Sequence, residues 1–154
     1  MSKNSIEFEK LIDVLDKLLA PDGCDWDREQ THESLIPYLL EETHEVIEAI
    51  ENRNMSDLKE ELGDLMLHVL FQAKLSEKDG HFNISDSLKN ISSKLIRRHP
   101  HIFEKNTNIK SPNDVKNQWD KIKEQENKNK SKKTNTLGKI TKNLPSILKS
   151  QKIQ

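Results

Sequence analysis

Residues 37–76 read PYLLEETHEVIEAIENRNMSDLKEELGDLMLHVLFQAKLS, and two helical periods are written into them. Leu35, Leu39, Leu40, Val46, Ile47 and Ile50 recur at the spacing of one helical face, and Leu58, Leu62, Leu65, Val69, Leu70 and Ala73 repeat the pattern. The gap between the two runs is only about three to five residues, which forces the helices to pack as an antiparallel hairpin. The first helix is expected to start near residue 31 or 34 and to end near 52. Pro37 favours the later start, because a missing N–H costs little in a first turn. The second is expected over about 56–76, closed by Asp79-Gly80.

The same period extends outward from the hairpin. Phe8, Leu11, Ile12, Leu15, Leu18 and Leu19 predict a helix over 5–19, with Asn4 and Glu7 as a capping pair and Ala20-Pro21-Asp22-Gly23 as its stop. Leu88, Ile91, Leu95 and Ile96 predict a helix over 85–98 with these residues inward, ending before Pro100. Ser111 at N-cap, Pro112 at the first helical position and Asp114 in the first turn start a fifth helix carrying Val115, Trp119 and Ile122. The fold class is therefore all-α, an antiparallel bundle of about five helices.

Composition agrees. The 154 residues suit one domain. Apolar residues make up 32% and charged residues 33%, which argues against a large multilayer α/β core. Four Gly and five Pro are too few for a many-turned all-β chain. No run approaches the ~18 apolar residues of a membrane span. MSKNSIEFEK lacks the apolar core of a signal peptide, and the single Cys24 excludes an internal disulfide framework. These features predict a soluble cytoplasmic protein with no membrane partner. A net charge of −1 excludes nucleic-acid binding by bulk charge, and no such partner is expected. Three segments follow: a helical domain over 1–123, a polar linker over 124–136 with no apolar residue, expected to be disordered, and a short amphipathic segment over 137–154.

Glu42 and Glu45 are three residues apart on the first hairpin helix, and so are Glu61 and Asp64 on the second. Each pair shares a helical face. In an antiparallel hairpin the two faces can oppose each other, and four carboxylates at close range repel strongly unless a cation neutralises them. All-oxygen ligation suits a hard ion, Mg²⁺ first and Mn²⁺ as a substitute. Equally, glutamate-rich helices can carry such residues only as a solvated face. Gly63, mid-helix between the acids, costs roughly 1 kcal/mol relative to Ala and suggests a close approach there by a helix or ligand.

Lys94, Arg97 and Arg98 cluster at the end of the fourth helix, where basic residues either complement the helix dipole or clamp phosphate. Trp119 and Lys123, four residues apart, offer a stacking surface and another cation, although a lone Trp is also a common core residue. His44 and His68 invite a metal reading, His99 and His101 flank Pro100 as structural residues, and no P-loop pattern is present.

The stretches DGC (22–24), WDREQTHESL (26–35), PYLLEE (37–42), EELGDL (60–65) and KLIRRHPHIF (94–103) together resemble MazG-type nucleoside triphosphate pyrophosphohydrolases. The resemblance covers about residues 5–125, so the helical domain reads as MazG-like. Asp25 stands where the family commonly has Pro, and His44 where an aromatic is common. Tandem-domain members carry two such domains, and this sequence resembles the first plus a connector that includes Asn143-Leu144-Pro145. The resemblance implies an all-α homodimer and Mg²⁺-dependent cleavage of an NTP or dNTP to monophosphate and pyrophosphate, a reaction of nucleotide metabolism. It implies Glu42, Glu45, Glu61 and Asp64 as catalytic metal ligands. It implies Lys94, Arg98 and Trp119 as nucleotide contacts, with Glu41, Glu60, Arg97 and Lys123 as further candidates. Two other readings fit the same residues: a narrower relative acting on dUTP or phosphoribosyl-ATP, and a degenerate domain that binds a nucleotide or partner without turnover.

Overall fold

The computed structural model describes residues 2–104 and 111–129, with side chains as far as 126. Among the described residues there are seven helices and no strand: α1 (Lys3–Leu19), α2 (Asp25–Arg28), α3 (Ile36–Glu51), α4 (Met55–Lys78), α5 (Ile84–Arg98), α6 (Pro100–Phe103) and α7 (Pro112–Asn129). The all-α expectation holds. The chain divides into two compact units, Met1–Asn90 and Ile91–Gln154, each described by itself.

In the first unit α3 and α4 pack along each other as the expected hairpin. Their joint is short and closed by backbone bonds. The N–H of Arg53 donates to Ile50 O at 3.1 Å and that of Asn54 to Ala49 O at 3.0 Å, a Schellman pairing with Arg53 left-handed at φ 54°. The Asn54 side chain then accepts from the N–H groups of Ser56 and Asp57, capping α4. The far end of α4 closes in the same way. Gly80 N–H donates to Glu77 O and His81 N–H to Ser76 O, with Gly80 at φ 75°. Glycine adopts that geometry freely, whereas arginine at the first joint does not. Arg53→Gly is therefore expected to stabilise the protein by about 0.5–1 kcal/mol. The urea midpoint is the measurement, and an unchanged or lower midpoint would contradict the strain.

Leu15 of α1, Leu35 before α3, and Leu70, Phe71 and Leu75 of α4 form the buried centre, with Phe8, Leu11, Ile12, Leu19, Leu67 and Ile84 packed around it. Hydrophobic burial on this scale is what holds α1 onto the hairpin. At the end of α1, Gly23 lies so close to the helix that a Cβ would sit 2.3 Å from Leu18 O, which explains a glycine there.

Several expectations are corrected. The cap of α1 is Ser2, whose hydroxyl accepts from Ser5 N–H, rather than Asn4 with Glu7, because the helix begins at Lys3. The tryptophan-bearing loop contains the short α2, held by Arg28, which donates to Pro21 O at 2.6 Å and pairs with Asp25. Leu40, Ile47 and Ile50 of α3, Leu62 and Val69 of α4, and Leu88, Ile91, Leu95 and Ile96 of α5 are exposed rather than inward. Their periodicity was that of an apolar face, but within this chain that face is wider than the core it meets. Ser111 does cap α7, accepting from Asp114 N–H at 3.2 Å. That helix continues through Glu124 to Asn129, beyond the expected start of the linker. The rest of the linker and the terminal segment lie outside the described residues.

Candidate metal centre and basic cluster

Glu45 and Glu61 stand equally far in sequence from Arg53, one before the joint and one after it. An antiparallel hairpin brings such residues level. Glu42 and Glu45 of α3 and Glu61 of α4 each place a carboxylate oxygen within 4.8 Å of the others. Asp64, one turn further along α4, is not part of that close group. Its charge nevertheless reaches the group, because it is the largest neighbouring charge acting on Glu42.

The electrostatics follow from this crowding. Glu42 is pushed up to about 7, first by burial and then by the charges of Asp64 and Glu45 and by its carboxyl's closeness to that of Glu45. Glu61 is also raised, first by burial and then by Glu45, Asp64, Glu60 and Asp57. Three oxygen donors from two helices, each disfavouring the charge of the others, match the donor set of a hard divalent cation, whose charge would reverse the repulsion. Glu60 adds to the negative field beside Glu61, whereas Glu41 is exposed outside the close group. A Cβ at Gly63 would meet nothing within 4 Å, so the close approach expected there is not made within the described residues.

Aromatic and polar groups border the acids. His68, one turn beyond Asp64, is buried, and burial lowers its affinity for a proton against the pull of Asp64. Tyr38 stacks on it with ring centres 6.5 Å apart, and Trp26 meets Tyr38 edge-on at 5.8 Å. His32 binds Gln72 through Nδ1, and the Gln72 amide donates back to His32 O at 3.3 Å, tying the tryptophan loop to α4.

The second unit holds the basic residues. Arg97 donates through Nε to Glu126 Oε1 at 2.6 Å, with its Nη2 in ion-pair contact with the same oxygen at 2.6 Å, and Arg98 Nη2 donates to Oε2 at 2.7 Å. The Arg98 guanidinium lies 4.9 Å over the Trp119 ring, a cation–π contact, and His99 approaches the same ring at 6.4 Å. Lys94 is half-buried on α5, and Lys123 is exposed on α7. Sequence reasoning missed Glu126, which sits in a run of Lys, Asn, Gln and Glu with no period to single it out.

The described residues are all-α, with an acid cluster across a helical hairpin. Residues 30–103 match the MazG nucleotide pyrophosphohydrolase domain. It is 48% identical over 120 residues to the nucleoside triphosphate pyrophosphohydrolase/pyrophosphatase MazG of Thermotoga maritima, covering 78% of this chain and 45% of that one. It is 38% identical over 149 residues to the nucleoside triphosphate pyrophosphohydrolase of Escherichia coli K12, covering 96% of this chain and 56% of that one. The chain thus spans about half the length of these curated relatives. The crystal structure of a mazG-related protein from Thermotoga maritima superposes with a TM-score of 0.64 at 25% identity, over 75% of this chain and 98% of that one.

Proposed function

We propose that this protein is a Mg²⁺-dependent nucleoside triphosphate pyrophosphohydrolase that converts an NTP or dNTP and water to the monophosphate and pyrophosphate. The observation that carries the reading is the convergence of Glu42, Glu45 and Glu61 across the hairpin, with the charge of Asp64 acting on them. The names of the relatives supply the reaction class.

In this reading Glu42, Glu45, Glu61 and Asp64 hold the cation. A bound divalent ion neutralises the triphosphate and stabilises the charge that develops on the leaving pyrophosphate. A cation held there would favour the charged form of Glu42, whose carboxylate burial and neighbouring charges otherwise disfavour. Lys94, Arg97, Arg98 and Lys123 supply donors to phosphate oxygens, Arg through its planar fork, and Trp119 supplies a stacking face. Glu41 and Glu60 remain candidates for contacts beside the acids.

The protein is proposed to act as a cytoplasmic homodimer. Support comes from exposed apolar residues on both hairpin helices, among them Leu40, Ile47, Leu62 and Met66. No helix among the described residues is long and apolar enough to cross a membrane. Light scattering at micromolar concentration tests the assembly, and a monomeric mass would refute it.

The activity is tested with purified protein, Mg²⁺ and a panel of NTPs and dNTPs, followed by chromatography. Monophosphate plus pyrophosphate supports the reading, and diphosphate plus phosphate contradicts it. Turnover of one nucleotide alone would mark the narrower relative. Binding without turnover would mark a degenerate domain.

A further inference from the structure

We propose that Glu126 is a positioning residue for phosphate recognition: its carboxylate seats the guanidiniums of Arg97 and Arg98 so that they present their remaining donors to a polyphosphate. This rests on the nucleotide-binding reading above and adds a residue to it.

Arg97 and Arg98 are neighbours at the end of α5, and two guanidiniums brought together repel. A single carboxylate from α7 holds both. Oε1 accepts one bond from Arg97 Nε at 2.6 Å and Oε2 one from Arg98 Nη2 at 2.7 Å, and Arg97 Nη2 also pairs with Oε1 at 2.6 Å. These are short charge-assisted bonds, the kind that fixes a direction as well as a distance. The Arg98 side chain is 13% exposed and that of Glu126 18%, so the contact is largely sheltered from water.

The α7 helix supplies this seat twice over. Trp119 and Glu126 are two turns apart and so lie on one face. Trp119 provides the floor under the Arg98 guanidinium and Glu126 the stop at its end. A planar cation held on its face and at one end has little freedom left, which is what recognition of an oxyanion in a fixed orientation needs.

The seat leaves donors over. Arg98 reaches Glu126 through Nη2, whereas its Nε is buried without a partner among the described residues, as is Trp119 Nε1. Buried donors without acceptors are rare and costly, and two in one stack beside a surplus cation point to an oxyanion acceptor. Two arginines on one carboxylate keep a net positive charge, so the anchor does not cancel the attraction for phosphate. The two guanidiniums hold Glu126 down at about 2, which keeps the anchor charged at any physiological pH.

The test uses the full chain and two ligands. Inorganic tripolyphosphate in EDTA, followed by calorimetry, reads the basic cluster without metal or turnover. Each NTP that the wild type hydrolyses, with Mg²⁺, reads KM and kcat. E126Q is expected to raise both the tripolyphosphate Kd and the KM about tenfold with kcat within about twofold, the scale of one charge-assisted hydrogen bond. E126D, which keeps the charge on a shorter arm, should recover part of the loss. In an R97K/R98K background, where no planar fork remains to be seated, E126Q should add little. Unchanged Kd and KM in E126Q would reduce Glu126 to a structural ion pair, and tighter binding would make it a competitor of phosphate; either overturns the proposal. If E126Q loses helicity by circular dichroism, E126D decides, and wild-type Kd with that variant overturns it. A wild type that hydrolyses no nucleotide defeats the pyrophosphohydrolase reading alone. The tripolyphosphate measurement then still decides the role of Glu126, and absence of binding by the wild type overturns it.

Discussion

Glu61→Gln is expected to lower kcat for nucleoside triphosphate hydrolysis by at least about 100-fold, while the melting temperature of the metal-free protein holds or rises. The two halves of this result have one cause. Burial and the charges of Glu45, Asp64, Glu60 and Asp57 all disfavour the charged form of Glu61. Folding gains nothing from that charge, whereas a cation requires it. Glutamine keeps the shape and removes the charge, so repulsion falls and the oxygen donor is weakened at once. Steady-state kinetics at saturating Mg²⁺ and a thermal melt in EDTA are the two measurements. Full activity in the variant would sink the metal-centre reading, and a large loss of stability would mean that Glu61 is structural.

The second expectation is a pH-dependent stabilisation by Mg²⁺, large at pH 8 and small at pH 5. Glu42 titrates at about 7 in the folded protein against 4.5 as a free side chain. Its folded pKa is raised, so the folded state prefers the protonated form. The contribution of this group to stability is greatest at low pH, declines from about 4.5 to 7, and stays low above that. The cation works in the opposite direction. Below pH 7 it competes with a proton for Glu42, and above pH 7 it meets only carboxylates that repel one another. A metal present at ~100 times its Kd adds about 2.7 kcal/mol to the folded state, so the melting shift between EDTA and Mg²⁺ should be several degrees at pH 8. Equal shifts at pH 5 and pH 8 would show that the cation binds elsewhere.

The hairpin and its acid pairs were legible because two independent periods point to them. The apolar residues of 37–76 define two helical faces, and the short gap makes them antiparallel. The i, i+3 acids then fall on facing surfaces. What stayed hidden depends on contacts between distant residues or on elements too short to have a period. The four residues of α2 cannot display one. The far end of α7 has no apolar stripe, and Glu126 there pairs with Arg97 and Arg98, a partnership that no local pattern announces. Gly63 misled in the other direction. Its cost in a helix is real, but the space above it is open among the described residues. The exposed apolar residues of α5 show a further limit: periodicity reports which face is greasy, not what covers it.

The joint at Arg53 carries a consequence for any redesign of the chain. Because Glu45 and Glu61 are brought level by counting outward from that joint, its length is itself a determinant of the acid cluster. The closing bonds from Arg53 and Asn54 and the cap by the Asn54 side chain leave no slack to absorb an inserted residue. A loop graft or an affinity tag placed there would shift the ligating helices past each other without touching a single ligand. The link between Lys78 and Ile84 is the more forgiving place to insert sequence, since it follows α4 well after Asp64 and ties no two ligands together.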